Sequence, residues 1–144
     1  MTLLCIEDVQ DKYEHIKKVL DDIGVKVVLK TNYQDGIVEL SRNKYPYLLL
    51  DMSMPICGDT SRKDNFDVFA GMMILREIKR KKYKIKVIII TGFDDFEHGN
   101  EIMTLDELVS TIRRKYAAFF AGVLKYDSAS VEWQENLKNY LSEV

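Results

Sequence analysis

Short apolar runs alternate with amphipathic helical segments along almost the whole chain, and this alternation constrains the fold more than any other feature. No run exceeds about five residues, which suits a buried strand, and apolar residues recur at helical spacing after each one. Strands that alternate with helices in this way form a parallel sheet covered on both faces. The predicted strands are residues 3–6, 25–29, 47–50, 87–90 and 122–124.

The alternation predicts an α/β fold, a doubly wound parallel (βα)5 sheet with the flavodoxin-like strand order 2-1-3-4-5. The crossover connections should be right-handed. Ligands of such sheets bind beyond the carboxyl ends of the strands, where the strand order reverses. Strands one and three are neighbours at that point, so the residues that follow them are expected to form the site.

Composition is that of one ordinary globular domain, which we predict to span residues 1–144. The formal net charge of -2 is too close to neutral to favour nucleic acid as an obligatory partner, and the basic run 79–84 is better explained as a solvated helix end. No apolar run is long enough to span a bilayer, so we expect no membrane association. The N-terminus lacks the features of a signal peptide, which predicts a cytoplasmic protein.

The residues that directly follow the predicted strands differ in side-chain chemistry. Glu7 and Asp8 follow the first strand, Asp51 follows the third, and Thr91 and Lys125 follow the fourth and fifth. Because the first and third strands are neighbours, the three carboxylates should converge on one crevice. An acid after a strand is often only a helix cap or turn former, but five such residues in register favour a functional site.

Three carboxylates in one crevice need a cation or raised pKa values. Two unit charges ~5 Å apart repel by roughly 3 kcal/mol at an effective dielectric near 20. Oxygen ligands favour a hard ion, so we predict Mg²⁺, with Mn²⁺ as an alternative. A carboxylate nucleophile beside a metal, a lysine and a hydroxyl suits acceptance of a phosphoryl group.

Four motifs in the same order resemble the receiver domain of two-component response regulators, and the resemblance extends from residue 3 to about residue 141. They are LCIED at 4–8, LLLDMSMP at 48–55, IITG at 89–92 and LK at 124–125. The resemblance implies a signalling module that takes its phosphoryl group from a histidine kinase or a histidine phosphotransfer protein. Its output would be altered binding to another protein. No output domain follows the last predicted helix, so we expect a receiver standing alone.

The resemblance also assigns roles to the strand-end residues. Asp51 would be the phosphoacceptor. Asp8, Asp51 and the backbone carbonyl of Ser53 would bind the metal, with Glu7 acting largely through water. Thr91 would be the switch hydroxyl, and Lys125 would hold the phosphoryl group.

The sequence departs from the family in its switch and in two long connections. Gly122 stands where receivers usually carry an aromatic switch residue, and Tyr126 stands where a proline usually follows the lysine. Phe120 or Tyr126 could take over the aromatic role. The extra residues at 56–70 and 92–104 could form a partner-recognition surface or a lid over the acceptor, or be tolerated surface elaboration.

Two other functions remain open at this point. A degenerate receiver would never be phosphorylated and would act only as an interaction domain. A phosphatase that turns over through an aspartyl-phosphate is the other, but the haloacid dehalogenase-like phosphatases place a second acid two residues after the nucleophile, where this chain has Ser53.

Overall fold

A computed structural model describes residues 1–58, 66–98 and 100–142 of the chain. Within them, nine strands and five helices follow one another. They are β1 (Thr2–Ile6), α1 (Gln10–Asp22), β2 (Lys26–Lys30), α2 (Tyr33–Arg42), β3 (Tyr47–Leu50), β4 (Met54–Pro55), β5 (Phe66–Asp67), α3 (Ala70–Lys81), β6 (Lys86–Thr91), β7 (Asp95–His98), β8 (Glu101–Thr104), α4 (Leu105–Tyr116), β9 (Phe120–Lys125) and α5 (Glu132–Ser142).

Five strands form one parallel sheet in the order β2-β1-β3-β6-β9, which confirms the predicted flavodoxin-like fold. β1 lies between β2 and β3, with Ile6 opposite both Lys30 and Leu50. The carboxyl ends of β1 and β3 therefore meet at the same edge of the sheet.

The sheet separates two hydrophobic cores because successive side chains of a strand point to opposite faces. Leu4, Ile6, Leu48 and Leu50 pack on one face with apolar residues of α2, α3 and α4. The other face holds Leu3, Cys5 and Leu49 with residues of α1 and α5, including the buried Trp133. Strands buried on both faces explain the nearly continuous apolar runs in the sequence.

Two short antiparallel pairs lie outside the main sheet, where the sequence predicted only loops. β4 pairs with β5, and β7 pairs with β8 as a hairpin in which Phe96 lies opposite Met103. β4 directly precedes the first long connection, whereas β5, β7 and β8 lie within the two connections; residues 59–65 and 99 of those connections lie outside the described part of the chain. Such short strands carry too few residues for a clear alternating pattern.

The last strand of the sheet is longer than the predicted 122–124. α4 ends at Tyr116, because Phe119 turns back to the Tyr116 carbonyl and Phe120 pairs with Val87 in the sheet. β9 therefore begins at Phe120 and extends to Lys125, and α5 begins at Glu132. At the start of α4, Thr104 Oγ1 accepts a hydrogen bond from the Glu107 amide at 3.2 Å and caps the helix.

No helix in the described ranges has the length and apolar character needed to cross a bilayer.

Candidate functional site

Glu7, Asp8 and Asp51 come together at the carboxyl ends of β1 and β3, as the strand order predicts. One carboxylate oxygen from each residue lies within 4.8 Å of the others. The Asp51 amide donates to the Ile6 carbonyl at 3.2 Å, which continues the ladder between the two strands as far as Asp51. Glu7 and Asp51 are only 1% and 3% exposed, so two of the three carboxylates are almost removed from solvent.

Burial controls the protonation of this acidic pocket, by which we mean Glu7, Asp8 and Asp51. Burial and the neighbouring Asp51 carboxylate raise the pKa of Glu7 to about 7, against the opposing effect of the Lys12 ammonium. Burial and Asp51 also raise the pKa of Asp8. One oxygen of Glu7 accepts from the Val9 amide at 3.1 Å, at the start of α1.

The pocket fits a hard divalent cation by the chemistry of its donors. Its donors are carboxylate oxygens, the ligand type that Mg²⁺ and Mn²⁺ prefer. Glu7 Oε1 is buried, and its close partner among the described residues is the Lys12 ammonium at 2.6 Å. A buried carboxylate needs a positive charge beside it, which a bound cation would also supply.

A lysine that the sequence analysis did not consider reaches into the acidic pocket. Lys12, in the first turn of α1, is 5% exposed. Its Nζ lies 2.6 Å from Glu7 Oε1 and 3.3 Å from Asp51 Oδ2. The signal in the sequence was its position: with Ile16, Val19 and Leu20 it lies on the buried face of α1, where a lysine needs a partner.

The Asp51 carboxylate contacts the loop that follows it as well as Lys12. Its Oδ1 accepts a hydrogen bond from the Met52 amide at 2.7 Å. The Gly71 amide donates to the Met52 carbonyl at 2.8 Å, which connects the first turn of α3 to the loop after β3. Ser53, two residues after Asp51, is buried, and its hydroxyl donates to the Val68 carbonyl at 3.1 Å.

Thr91 ends β6 and is fully buried. Its hydroxyl accepts from the Phe93 amide at 3.2 Å, and its carbonyl accepts from the Tyr126 amide at 2.8 Å. The side chain thus orders the first residues after β6, which open the second long connection.

Lys125 lies opposite Thr91 in the sheet, but its ammonium contacts the loop after β6. Nζ lies 2.9 Å from Asp94 Oδ1 and donates to the Gly92 carbonyl at 2.8 Å. In this arrangement Lys12, and not Lys125, makes the ion pair with Asp51. Asp94 offers Lys125 a carboxylate close to its own strand end. The predicted role of Lys125, to hold the phosphoryl group, stays a prediction.

The place of the usual aromatic switch residue is filled from α5. A Cβ on Gly122 would lie 2.0 Å from Tyr140 Oη, so the tyrosine ring occupies the space beside the glycine. Phe120 packs on the core under Arg113, whose guanidinium carbon lies 5.3 Å from the ring centroid. Tyr126 packs edge-on against Trp133 and hydrogen-bonds His15 at 2.7 Å.

The basic run at the end of α3 lies at the opposite edge of the sheet. Lys79 Nζ donates to the Lys115 carbonyl at 3.1 Å, near the carboxyl end of α4, and lies 5.7 Å from the Tyr116 ring centroid. A cavity of about 550 Å³ opens beside these residues. The contact with a helix carboxyl end agrees with the interpretation of this run as cations that complement helix termini.

The family model for the response regulator receiver domain matches residues 3–109. The chain belongs to this family. The match covers β1 through the first half of α4, and so includes Glu7, Asp8, Asp51 and Thr91 at the ends of their strands.

Solved structures support the same fold for this receiver domain. The signal receiver domain of a protein described as a Luxo repressor from Vibrio parahaemolyticus has a TM-score of 0.67 at 19% identity, covering 99% of this chain and 90% of that chain. The response regulator TrrA from Thermotoga maritima, solved in complex with Mg²⁺ and BeF, has a TM-score of 0.62 at 17% identity, covering 96% of this chain and 97% of that chain.

A sequence relative is an uncharacterized protein, y4jR, of Sinorhizobium fredii. It is 27% identical over 122 residues, which are 83% of this chain and 78% of that protein.

Proposed function

We propose that this receiver domain is a phosphoacceptor signalling module in which Asp51 receives a phosphoryl group. The observation that carries the proposal is the convergence of Glu7, Asp8 and Asp51 within 4.8 Å, at the switch point of a receiver fold. The donor is the phosphohistidine of a histidine kinase or a histidine phosphotransfer protein. We expect the protein in the cytoplasm, and we expect one transfer to Asp51 with later hydrolysis rather than turnover of a free substrate.

The residues divide the work of the transfer. Glu7, Asp8, Asp51 and the backbone carbonyl of Ser53 would hold Mg²⁺, with Mn²⁺ as an alternative, and this ion would offset charge on the phosphoryl oxygens. An Asp51 carboxylate oxygen forms the new bond to phosphorus while the phosphorus–nitrogen bond of the donor breaks and the imidazole keeps the electron pair. Thr91 Oγ1 is the hydroxyl that donates to a phosphoryl oxygen.

Lys125 is the residue whose contacts must change in this proposal. To hold the phosphoryl group, its ammonium exchanges Asp94 and the Gly92 carbonyl for a phosphoryl oxygen. That exchange would release the first residues of the second long connection. We therefore expect Lys125→Ala to retain some phosphorylation and to lose the conformational response that follows it.

The two long connections are suited to report the phosphorylation to a partner protein. The Val68 carbonyl accepts from Ser53, and Asp94 pairs with Lys125, so each connection contacts a residue of the site. Phe69 and Phe96 bring the connections together, with ring centroids 6.3 Å apart. The proposed recognition surface or lid comprises residues 56–70 and 92–104.

Intact-mass measurement with Mg²⁺ and a small-molecule phosphodonor tests the proposal. Wild type should gain one phosphoryl group, and Asp51→Asn should gain none. Asp22→Asn, at an exposed aspartate of α1, is the matched control and should behave as wild type. Phosphate mapped to a residue other than Asp51 would contradict the assignment.

An interaction domain that is never phosphorylated is the second candidate function. It is favoured by Lys12, which already supplies a positive charge to the acidic pocket. Under that function, the intact mass stays unchanged with every phosphodonor tried. A catalytic release of phosphate over many turnovers would instead favour the phosphatase.

A further inference from the structure

The Lys12 ammonium lies among the oxygens of the acidic pocket, where a bound metal cation would also lie. Its Nζ contacts carboxylate oxygens of Glu7 and Asp51 and donates to the Ile90 carbonyl at 2.8 Å. These three oxygens come from the ends of three neighbouring strands of the sheet, β1, β3 and β6. Lysine is rarely buried unless its charge is paired, and here the side chain is 6% exposed.

The Lys12 ammonium is paired with two carboxylates at once. Glu7 lies at 2.6 Å and Asp51 at 3.3 Å from Nζ. The Tyr126 ring adds a weak attraction, with its centroid 5.8 Å from Nζ. Lys125, at the end of β9, makes its ion pair with Asp94 and not with the pocket.

We propose that Lys12 is a built-in cation of the acidic pocket that competes with the divalent metal for the oxygens of Glu7 and Asp51. The inference rests on the proposed function only for the identity of the pocket as a metal site. A metal bound to Asp51 would meet the ammonium already 3.3 Å from the same carboxylate, so the ammonium must withdraw or tolerate strong repulsion. The metal-free protein is meanwhile stabilised, because two buried carboxylates are paired.

Competition predicts two effects of opposite sign when the charge is removed. Lys12→Met preserves an unbranched side chain of similar length without the ammonium. It should lower the melting temperature of the metal-free protein, because Glu7 and Asp51 lose their buried partner. It should also bind Mn²⁺ or Mg²⁺ at least tenfold more tightly. A purely structural role for Lys12 would lower stability and weaken metal binding together.

The experiment measures Mn²⁺ binding by electron paramagnetic resonance and Mg²⁺ binding by calorimetry, with melting in the presence of a chelator. Lys17→Met is the matched control, since Lys17 lies on the same helix, is 51% exposed and pairs with the exposed Asp21. Its metal affinity should equal that of wild type. Lys12→Arg, which keeps the charge, should also bind metal no more tightly than wild type.

Each outcome decides the inference. Tighter binding by Lys12→Met supports it, including the case in which wild type binds no metal and the variant does. Equal or weaker binding by a folded Lys12→Met overturns it while leaving the metal site in place. If Lys12→Met folds only with metal, its refolding is titrated with Mn²⁺. A midpoint Mn²⁺ concentration equal to or higher than the Kd of wild type overturns the inference. Absence of binding in both proteins overturns the inference and the metal part of the proposed function, and intact mass still tests Asp51 separately.

Discussion

Glu7 shows at the scale of one residue how burial links the acidic pocket to stability. Its folded pKa of about 7 lies above the ordinary value of 4.5. Between those two values the folded protein keeps a proton that the unfolded chain has lost. The stability contributed by this proton is therefore complete below about pH 4.5 and is lost as the pH rises through 7.

Metal-free wild type should accordingly lose stability between pH 5 and pH 8. At about 1.4 kcal/mol for each unit of pKa shift, Glu7 contributes a loss of up to about 3 kcal/mol. Glu7→Gln should remove most of this slope in urea unfolding measured in a chelating buffer. Glu14→Gln, at an exposed residue of α1, is the control and should keep it. An unchanged slope in Glu7→Gln would refute the raised pKa.

Gly71 is a second residue where local geometry affects the site. A Cβ at this position would lie 2.7 Å from the Asp51 carbonyl oxygen and 2.9 Å from Met52 Cα. Neither backbone atom can move without displacing the loop after β3. The close approach lets the start of α3 pack directly under Asp51. Alanine would favour the helix by about 1 kcal/mol, but the overlap should cost more.

We expect Gly71→Ala to destabilise the protein by roughly 1–3 kcal/mol in chemical unfolding and to weaken phosphorylation of Asp51. Gly92→Ala is the control, because its Cβ would meet nothing nearer than the Tyr126 carbonyl oxygen at 3.6 Å. Equal stability of the two variants would show that the loop after β3 can shift at little cost in free energy.

At the scale of elements, the β7–β8 hairpin depends on one aromatic side chain. Phe96 is 2% exposed and lies near the rings of Phe69 and Phe93, at 6.3 Å and 6.1 Å between centroids. The hairpin therefore packs on the core and on the first long connection mainly through Phe96, with the partly buried Met103 of β8 opposite it. The main sheet does not include the hairpin.

Phe96→Ala should cost roughly 3 kcal/mol of stability and should speed hydrogen exchange in β7 and β8 much more than in β1 and β3. Ile102→Ala, on the same hairpin but 64% exposed, is the control and should leave exchange unchanged. Faster exchange of all strands in Phe96→Ala would mean that the hairpin and the sheet unfold as one unit.

At the scale of the whole molecule, metal binding should raise the stability of the fold, because the acidic pocket joins strands that are distant in sequence. A ligand that binds only the folded state stabilises it in proportion to the logarithm of its concentration over its Kd. Millimolar Mg²⁺ should raise the melting temperature of wild type at pH 8. Asp8→Asn should abolish this rise without lowering the melting temperature of the metal-free protein, since it removes a carboxylate next to Asp51. A retained rise would exclude Asp8 as a ligand.

Phosphorylation should change the two long connections if they form the recognition surface. Hydrogen exchange with and without Mg²⁺ and beryllofluoride should show altered protection within residues 56–70 and 92–104. Asp51→Asn under the same conditions is the control and should show no change. Changes confined to other segments would favour tolerated surface elaboration.

The sequence by itself determined the sheet and the convergence of its acids. Alternating apolar runs and helical periodicity are local patterns, and the rule for parallel sheets converts them into a strand order that brings Glu7, Asp8 and Asp51 together. Only the tertiary structure decided which cation lies among them. Lys12 meets Asp51 and Ile90 across 39 and 78 residues of chain, while Asp94 draws Lys125 away. Tyr140 likewise covers Gly122 from another element. Such contacts depend on the packing of side chains between elements, which no local periodicity encodes.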